Sequence, residues 1–372
     1  MNILITGNKG FIGQHLVNSL NHLSLSNHKI IKSKKEDFKN PKLLDEKVKK
    51  SSVIVHLAGL NRHENQSIIY ESNINLSQKL VDSMKRVGFS GKLIFSSSIQ
   101  ESLNNSYGKS KKDSRELFIK ESKLNGFNFS ALILPNVYGP FGKPNYNSSI
   151  PTFCQKICDG QQVEIHENAQ VKLIYIDKVI SLFLNEIENN DSNFEINVNP
   201  EKIISVEEVK DLLIKFKKEY LDNNIMPKLE NDFEINLFNT FRSYINLGAF
   251  FPVKYKCNID ERGNFIEILR SNSKGQFSFS TTKPNITRGN HFHTKKIERF
   301  SVIKGESLIQ LRKIGTDEII EFYLSGDSPS FVDMPVWYTH SISNIGNEEL
   351  ITLFWINEPF DLNNPDTYTE KV

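Results

Sequence analysis

Three cysteines in 372 residues, Cys154, Cys158 and Cys257, make an odd count without CxxC spacing. Neither a disulfide framework nor a cysteine-based zinc module is therefore available, and the thiols are expected to be reduced and mostly buried. Charge of one sign is lacking as well: 46 Lys and Arg against 44 Asp and Glu leave +2, interleaved along the chain. That excludes a basic footprint for nucleic acid or a membrane surface and leaves small molecules as the expected partners. No apolar run is long enough to span a bilayer, and Met1-Asn2-Ile3-Leu4-Ile5 enters a strand directly, without a basic lead or cleavage site. A soluble, cytoplasmic protein is expected. Internal repeats and low-complexity tracts are absent too, and the length suffices for two domains, each with its own core.

Histidine is sparse, nine in all, yet two stand in Arg288-Gly289-Asn290-His291-Phe292-His293-Thr294-Lys295-Lys296-Ile297-Glu298, and His340 answers them later. On an extended strand His291 and His293 point to the same face, so two imidazoles converge at no cost to the sheet. Such a pair alone is usually just a polar strand face. Glu298 lies an odd step from both histidines, so a tight turn over 294–297 must return it on the neighbouring strand. His340 then completes three nitrogens and one oxygen, a set that suits zinc, iron, manganese or nickel, with zinc expected.

At the other end, the apolar run 2–6 leads into Thr6-Gly7-Asn8-Lys9-Gly10-Phe11-Ile12-Gly13 and then a helical pattern through Leu16, Val17 and Leu20. Strand, glycine turn and helix N-terminus form a pyrophosphate cradle, where glycines admit close backbone approach and the helix dipole favours negative charge. The next strand, around Ile30 and Ile31, ends at Lys34 and Lys35, and the first acid comes only at Glu36. An acid at that strand end would select a free 2′-hydroxyl, so the lysines favour NADPH, although lysines there also serve as plain solvated surface. Buried parallel strands follow: one ends in Leu57-Ala58-Gly59, another in Ser96-Ser97-Ser98, with a helix over 66–87 between them. Tyr107-Gly108-Lys109-Ser110-Lys111 opens a further helix, where a four-residue step places phenol and ammonium on one face. There the cation is expected to lower a phenol pKa that is ordinarily about 10. Helices are predicted over 205–216 and 229–244, and after Gly248 the texture changes to short alternating strands. The boundary is placed near residue 246, giving an α/β domain over 1–245 and an all-β domain over 246–372.

The first two thirds resembles the extended short-chain dehydrogenase/reductase family, in the members that act on nucleotide sugars. The likeness is carried by Thr6 to Gly13, Leu57-Ala58-Gly59, Asn73, Phe95 to Ser98, Tyr107 to Lys111, Leu134-Pro135-Asn136-Val137-Tyr138-Gly139-Pro140 and Tyr175-Ile176-Asp177. It implies a Rossmann-type doubly wound parallel sheet and hydride transfer at a sugar carbonyl. Ser98 would hold the carbonyl oxygen, with Ser97 as the alternative, Tyr107 would exchange its proton, and Lys111 would bind the nicotinamide ribose. Gly7, Gly10, Phe11, Ile12, Gly13, Lys34, Leu57, Ala58, Gly59 and Ser96 would line the cofactor, and Asn136 the substrate. Two departures stand out. The loop from Ser98 to Tyr107 is short, and segment 34–50 is too short for a full βα unit, so one strand is expected to be missing. Ile99-Gln100 stands where the family's dehydratases carry Asp-Glu, so dehydration is not expected.

The later part resembles the cupin family, a small β-barrel with an internal metal, through His291, His293, Glu298 and Gly305, then Gly326, Pro335, His340 and Asn344. Trp337 replaces the usual glycine after the proline. Asp260-x-Arg262-Gly263-x-Phe265-x-Glu267 and Arg288-Gly289-x-His291 also resemble the 3,5-epimerases of dTDP-4-keto-6-deoxy sugars. In those enzymes that histidine is a base without metal. A metal-bound imidazole has no lone pair to spare, so the base is left open among Tyr338, Lys296 and Glu267.

As a whole the fusion resembles the CapF-type bifunctional enzymes of capsular polysaccharide synthesis, which serve UDP-N-acetyl-L-fucosamine formation. This implies that the cupin epimerises carbon 3 of UDP-2-acetamido-2,6-dideoxy-β-L-arabino-4-hexulose. The reductase domain would then use NADPH to reduce carbon 4, giving UDP-2-acetamido-2,6-dideoxy-β-L-talose. One divalent metal per chain and a homodimer through the cupin are implied with it. Two other readings are kept: a single-activity 4-ketosugar reductase with a structural or dimerising cupin, and a redox-sensing binding protein on a reductase scaffold.

Overall fold

The structure is a computed structural model and describes all residues except 24–27, 147, 166–167, 256, 261–262, 267, 272–274, 359–360 and 362; the side chains of 257–260, 263–266 and 270–271 are also outside the description. The chain forms two compact units, Met1–Thr152 with Glu167–Val206, and Phe153–His166 with Glu207–Val372. Among the described residues no helix is long and apolar enough to cross a membrane.

In the first unit, β1 (Asn2–Thr6), β2 (Lys29–Lys32), β3 (Val53–His56), β4 (Lys92–Ser98) and β5 (Asn128–Leu134) alternate with α1 (Phe11–His22), α2 (Pro41–Lys50), α3 (Gln66–Val87) and α4 (Ser106–Asn125). After β6 (Asn136–Tyr138) comes α5 (Ser149–Cys158), which from Phe153 onward belongs to the second unit, and the chain returns to the first with β7 (Gln170–Tyr175), α6 (Ile176–Glu188), β8 (Asn193–Asn197) and β9 (Lys202–Ser205). The main sheet has the order β2-β1-β3-β4-β5-β8, parallel throughout. β3 and β4 are buried at every position, as befits strands covered by helices on both faces. Leu4, Ile54, Leu93, Phe95, Phe118 and Phe129 share one core with α2, α3 and α4. Between β2 and β3 the chain makes only a 3-10 turn (Asp37–Lys39) and α2, so one strand of the full doubly wound set is indeed missing.

Caps fix where the helices begin. Asn105 accepts from the Gly108 N–H and starts α4, which places Tyr107 in its first turn, and Gly126 closes the helix at φ +73°. Asn65 does the same for α3 through the Ser67 N–H.

The second unit opens with α7 (Val206–Phe216), a π-helical turn (Lys217–Asp222), β10 (Ile225–Met226), α8 (Asp232–Arg242) and α9 (Leu247–Phe250). Short strands follow: β11 (Val253–Lys254), β12 (Cys257–Asp260), β13 (Gly263–Ile266) and β14 (Arg270–Ser271). The main strands are β15 (Gln276–Thr282), β16 (Thr287–Phe292), β17 (Glu298–Lys304), β18 (Glu306–Lys313), β19 (Ile319–Ser325), β20 (Ser330–Met334), β21 (Tyr338–Asn344) and β22 (Leu350–Ile356), and β23 (Tyr368–Thr369) ends the series. They build two five-stranded antiparallel sheets, β11-β20-β17-β22-β15 and β19-β18-β21-β16-β23. Val302, Phe331 and Val332 of one sheet share a core with Ile309, Leu311 and Ile342 of the other.

The sequence reading placed segment 207–245 with the first domain, but by contact it groups with the β sheets. The buried Asp333 carboxylate explains the attachment. It accepts from Tyr220 and, at 2.8 and 3.1 Å, from Arg299. Arg242 adds a bond to the Met334 carbonyl at 3.0 Å and Asn239 one to the Lys295 carbonyl at 3.1 Å. Removing one partner from such a buried charge pair costs roughly 3–5 kcal/mol. Residue 246 thus marks the onset of strand-rich sequence, while by contact the second unit takes Phe153–His166 and everything from Glu207 on.

Candidate functional site

The first unit assembles its polar groups at the carboxyl ends of β1, β3 and β4. After β1 the chain turns tightly: Gly7 adopts φ +68°, and the Gly10 N–H bonds the Gly7 carbonyl at 2.8 Å. A Cβ on Gly7 would meet the Ala58 nitrogen at 2.7 Å, and one on Gly13 would overlap the Gly7 carbonyl, so the cradle closes only with glycine. Gly10 caps α1 in extended conformation, and Phe11 and Ile12 form its first turn. Thr6 ties this turn to the next strand. Its hydroxyl bonds His56 Nδ1 at 2.8 Å and accepts from the Leu57 and Ala58 N–H groups at 3.2 Å each. Burial pushes His56 down to about 3, so it is neutral, and because the Thr6 hydroxyl already accepts from two N–H groups, its own proton is the one shared with Nδ1.

Asn73 carries the connection onward. It bonds both the N–H and the carbonyl of Leu60, and donates to Ser110 at 2.9 Å, next to Lys111. Lys111 is fully enclosed and donates to the Ser96 carbonyl at 2.8 Å, with its ammonium 5.8 Å from the Tyr107 ring centroid. Burial pushes Lys111 down to about 8 and Tyr107 up to about 12, the phenol with a smaller contribution from Tyr146. The expected lowering of the phenol is therefore corrected: desolvation raises it, and the Lys111 proton is aimed at a backbone oxygen.

The serines differ in their commitments. Ser97 donates to Glu101, a carboxylate also gripped by Arg115 at 2.6 to 3.0 Å. Glu101 is thus engaged. Ser98 Oγ accepts from the Gln100 N–H at 3.2 Å. Asn136 is half-buried at the start of β6, just past the end of β5. Lys34 is exposed, and its N–H bonds the buried Asp37 carboxylate at 2.6 Å.

In the second unit His291, His293, Glu298 and His340 each offer a ligand atom, and these four atoms lie within 4.8 Å of one another. His291 and His340 are register partners on β16 and β21, with ring centroids 4.6 Å apart. Glu298 returns after the turn as expected, but not on a strand bonded to β16. It opens β17, in the other five-stranded sheet, so the cluster bridges two sheets. Period two fixes a side chain's face and not the partner strand.

Glu298 Oε2 lies 3.0 Å from His293 Nε2 and 3.2 Å from His340 Nε2. The second approach is poorly aligned, and His340 Nε2 is left buried without a hydrogen-bond partner. Burial opposes charge on Glu298, yet the hydrogen bond from His293 and the nearby imidazoles of His293 and His340 overcome it and hold the carboxyl well below the usual range. For His291, burial followed by the fields of His340 and His293 push it down to about 4. An ionised carboxylate, a neutral imidazole and an orphaned nitrogen are what a divalent metal requires of its ligands, so the donor set fits one.

Of the three candidate bases, Glu267 lies outside the described residues. The Lys296 ammonium donates to the Pro365 carbonyl at 2.7 Å. Tyr338 is half-buried two residues before His340 on β21, hence on the same strand face, and burial raises its pKa. Trp337 takes the left-handed conformation, φ +62°, that a glycine would adopt freely, and stacks on Phe292 at 5.4 Å.

Two family descriptions match the chain: the NAD dependent epimerase/dehydratase family over residues 3–199, and the polysaccharide biosynthesis C-terminal domain over residues 258–368. A UDP-2-acetamido-2,6-beta-L-arabino-hexul-4-ose reductase of Pseudomonas aeruginosa is 32% identical over 374 residues, covering 100% of this chain and 99% of its own. The crystal structure of the capsular polysaccharide assembling protein CapF from Staphylococcus aureus is similar over 100% of both chains, with 37% identity and a TM-score of 0.65. RMD from Pseudomonas aeruginosa, solved with NADPH, shares the fold over 58% of this chain and 82% of its own, at 19% identity and a TM-score of 0.52. With both regions matched in this order and relatives aligned from end to end, the chain belongs to the NAD dependent epimerase/dehydratase family, in its CapF-type branch.

Proposed function

We propose that the chain is a bifunctional nucleotide-sugar enzyme that epimerises carbon 3 of a UDP-linked 4-keto-6-deoxy-N-acetyl sugar in the second unit and reduces its carbon 4 ketone in the first. The substrate carried over from the relatives is UDP-2-acetamido-2,6-dideoxy-β-L-arabino-4-hexulose, and the product is the L-talose derivative. The observation that carries the epimerase half is the convergence of His291, His293, Glu298 and His340.

For reduction, NADPH would supply the hydride, cradled by Gly7, Gly10 and Gly13 and flanked by Leu57, Ala58, Gly59 and Lys34. Tyr107 is the proton donor, and a phenol pushed up to about 12 arrives protonated, as an acid for ketone reduction must. Lys111 holds the nicotinamide ribose. Ser98 orients the ketone oxygen in preference to Ser97, because Ser97 spends its proton on Glu101 whereas Ser98 only accepts, from Gln100. Asn136 contacts the sugar. Glu101, paired with Arg115, is no base for dehydration.

For epimerisation, the second unit is read as a cupin whose four ligands hold one divalent metal, zinc by choice, and the metal would supply Lewis-acid polarisation of the ketone. With the ketone polarised, the proton on carbon 3 would be acidic enough for a general base, whose identity is left open, to accept it from one face. Tyr338, with its raised pKa, is suited to deliver a proton to the other face. Lys296, donating to Pro365, is assigned a structural place. A homodimer through the cupin completes the proposal.

Proton NMR of the ketosugar with enzyme in deuterium oxide, without NADPH, tests it. Loss of the carbon 3 proton signal with wild type but not with His291→Ala supports the epimerase. If neither exchanges while NADPH is still consumed on addition, the second unit is structural and the single-activity reductase stands. If Tyr107→Phe oxidised NADPH as fast as wild type, the catalytic reading of the first unit would fail as well.

A further inference from the structure

The last residues of the chain carry no ligand of the cluster, yet they are fastened to the strand and turn that do. β23 pairs Thr369 with His291 and Tyr368 with Phe292, and Tyr368 stacks on Phe292 at 5.4 Å. Closing a sheet edge would account for that much. Asp366 does more.

Asp366 is 4% exposed and sits at φ +42°, outside any strand. Its main-chain oxygen faces His293 Nδ1 at hydrogen-bond distance. A carbonyl can only accept, so Nδ1 must carry a proton toward Asp366, which leaves Nε2, the nitrogen that faces Glu298 at 3.0 Å, as the one available to ligate a metal. The Asp366 carboxylate meanwhile accepts from the Thr294 hydroxyl at 2.6 Å and from the backbone N–H groups of Thr294, Lys295 and Lys296 at 3.1, 3.0 and 3.0 Å. Successive N–H groups converging on one anion form a nest. That nest is the turn between His293, just past the end of β16, and Glu298, which opens β17 in the other sheet, so it sets the spacing of the two ligands. Each of these N–H groups, if left buried and unpaired, costs about 1–3 kcal/mol.

We infer that Asp366 is a positioning residue of the metal centre. It fixes the tautomer of His293 through its carbonyl and the turn over 294–297 through its carboxylate. The inference rests on the metal reading of the cluster and adds a role for a residue some seventy positions away from the turn it holds.

The test uses the full chain, stripped with a chelator and titrated with Co²⁺ and Zn²⁺, reading affinity by competition and site geometry from the Co²⁺ d–d absorption. Asp366→Ala should weaken both ions roughly 10- to 100-fold, as loss of a residue that orients a ligand does, and should change the Co²⁺ band. Both variants keep the main-chain oxygen, but Asp366→Asn also keeps one side-chain acceptor for the turn and should lose less. Thr294→Val removes a single donor, should lose least, and with Asp366→Asn decides the matter should Asp366→Ala not fold. Wild-type affinity and band shape in the folded variants would overturn the inference. Failure of the wild type itself to take up either ion would instead remove the metal reading, and the inference with it.

Discussion

In the first unit the reactive groups stand at the carboxyl ends of parallel strands, where β1, β3 and β4 release the chain into the cradle, the Leu57-Ala58-Gly59 turn and the serines. In the second they stand on strand faces, His340 within β21 and Glu298 opening β17, and meet between two sheets. Their electrostatics differ in the same way. Burial is the leading influence on Tyr107 and Lys111 and drives each toward its neutral form. On Glu298 and His293 burial is also the largest single influence, but the partners together reverse it, keeping one ionised and raising the other. A site at strand ends can therefore lean on backbone groups, as Lys111 does on Ser96, while the site between sheets depends chiefly on what its members do for one another, with the Asp366 carbonyl as the backbone's share at His293. The orphaned Nε2 of His340 is the mark of that dependence.

The sharpest way to break the comparison is to silence one site and watch the other. Tyr107→Phe should lower NADPH-dependent reduction by roughly 10²- to 10⁴-fold, the ordinary contribution of a positioned proton donor, while exchange of the carbon 3 proton continues. Coupled loss of both activities would show that the two sites are not separate. His340→Ala should do the converse. Removing one of three imidazoles costs several kcal/mol of carbonyl polarisation, roughly a hundredfold or more in exchange, and bound metal measured by elemental analysis should fall with it. Reduction of sugar already epimerised should persist in this variant.

Most of this architecture was legible because it is local. Apolar runs announced the buried parallel strands, glycine spacing the cradle, and the alternation of His291 and His293 a shared face. What was not legible depends on pairs far apart in the chain. Nothing near Tyr220 signals Asp333, so the contact that groups segment 207–245 with the β sheets cannot be read from the sequence. Nothing near Thr294 signals Asp366. The Tyr107 phenol was misjudged for a related reason. A four-residue step shows that a lysine is near, but only the packed structure shows how completely both groups leave water.

A pH profile probes the first site more gently. On the free enzyme Tyr107, pushed up to about 12, stays protonated through the working range, so the alkaline limit should come from Lys111, pushed down to about 8. As pH rises through that value Lys111 loses the charge that would hold the ribose, and kcat/KM for reduction should fall about tenfold per unit above it. A profile flat to pH 10 would remove Lys111 from that role. Carbon 3 exchange, which uses neither group, should not share this limb.

The smallest effect concerns the cofactor's 2′-phosphate. Asp37 is the nearest buried acid after β2, and in the ordinary dinucleotide arrangement an acid there would hold a free ribose hydroxyl. Here its carboxylate is already taken, by the Lys34 N–H and the Lys47 ammonium at 2.6 Å each, and it is turned from solvent. Lys34 and Lys35 are left exposed at the strand end. A solvated ammonium on a phosphate is worth about 1 kcal/mol, so Lys34→Ala should cost roughly fivefold in NADPH affinity and little in NADH affinity. Fluorescence titration with both cofactors measures it. Because the pair is exposed, the difference should shrink as salt is raised. Equal losses for the two cofactors would place Lys34 against a part they share and leave the proposed preference for NADPH without this support.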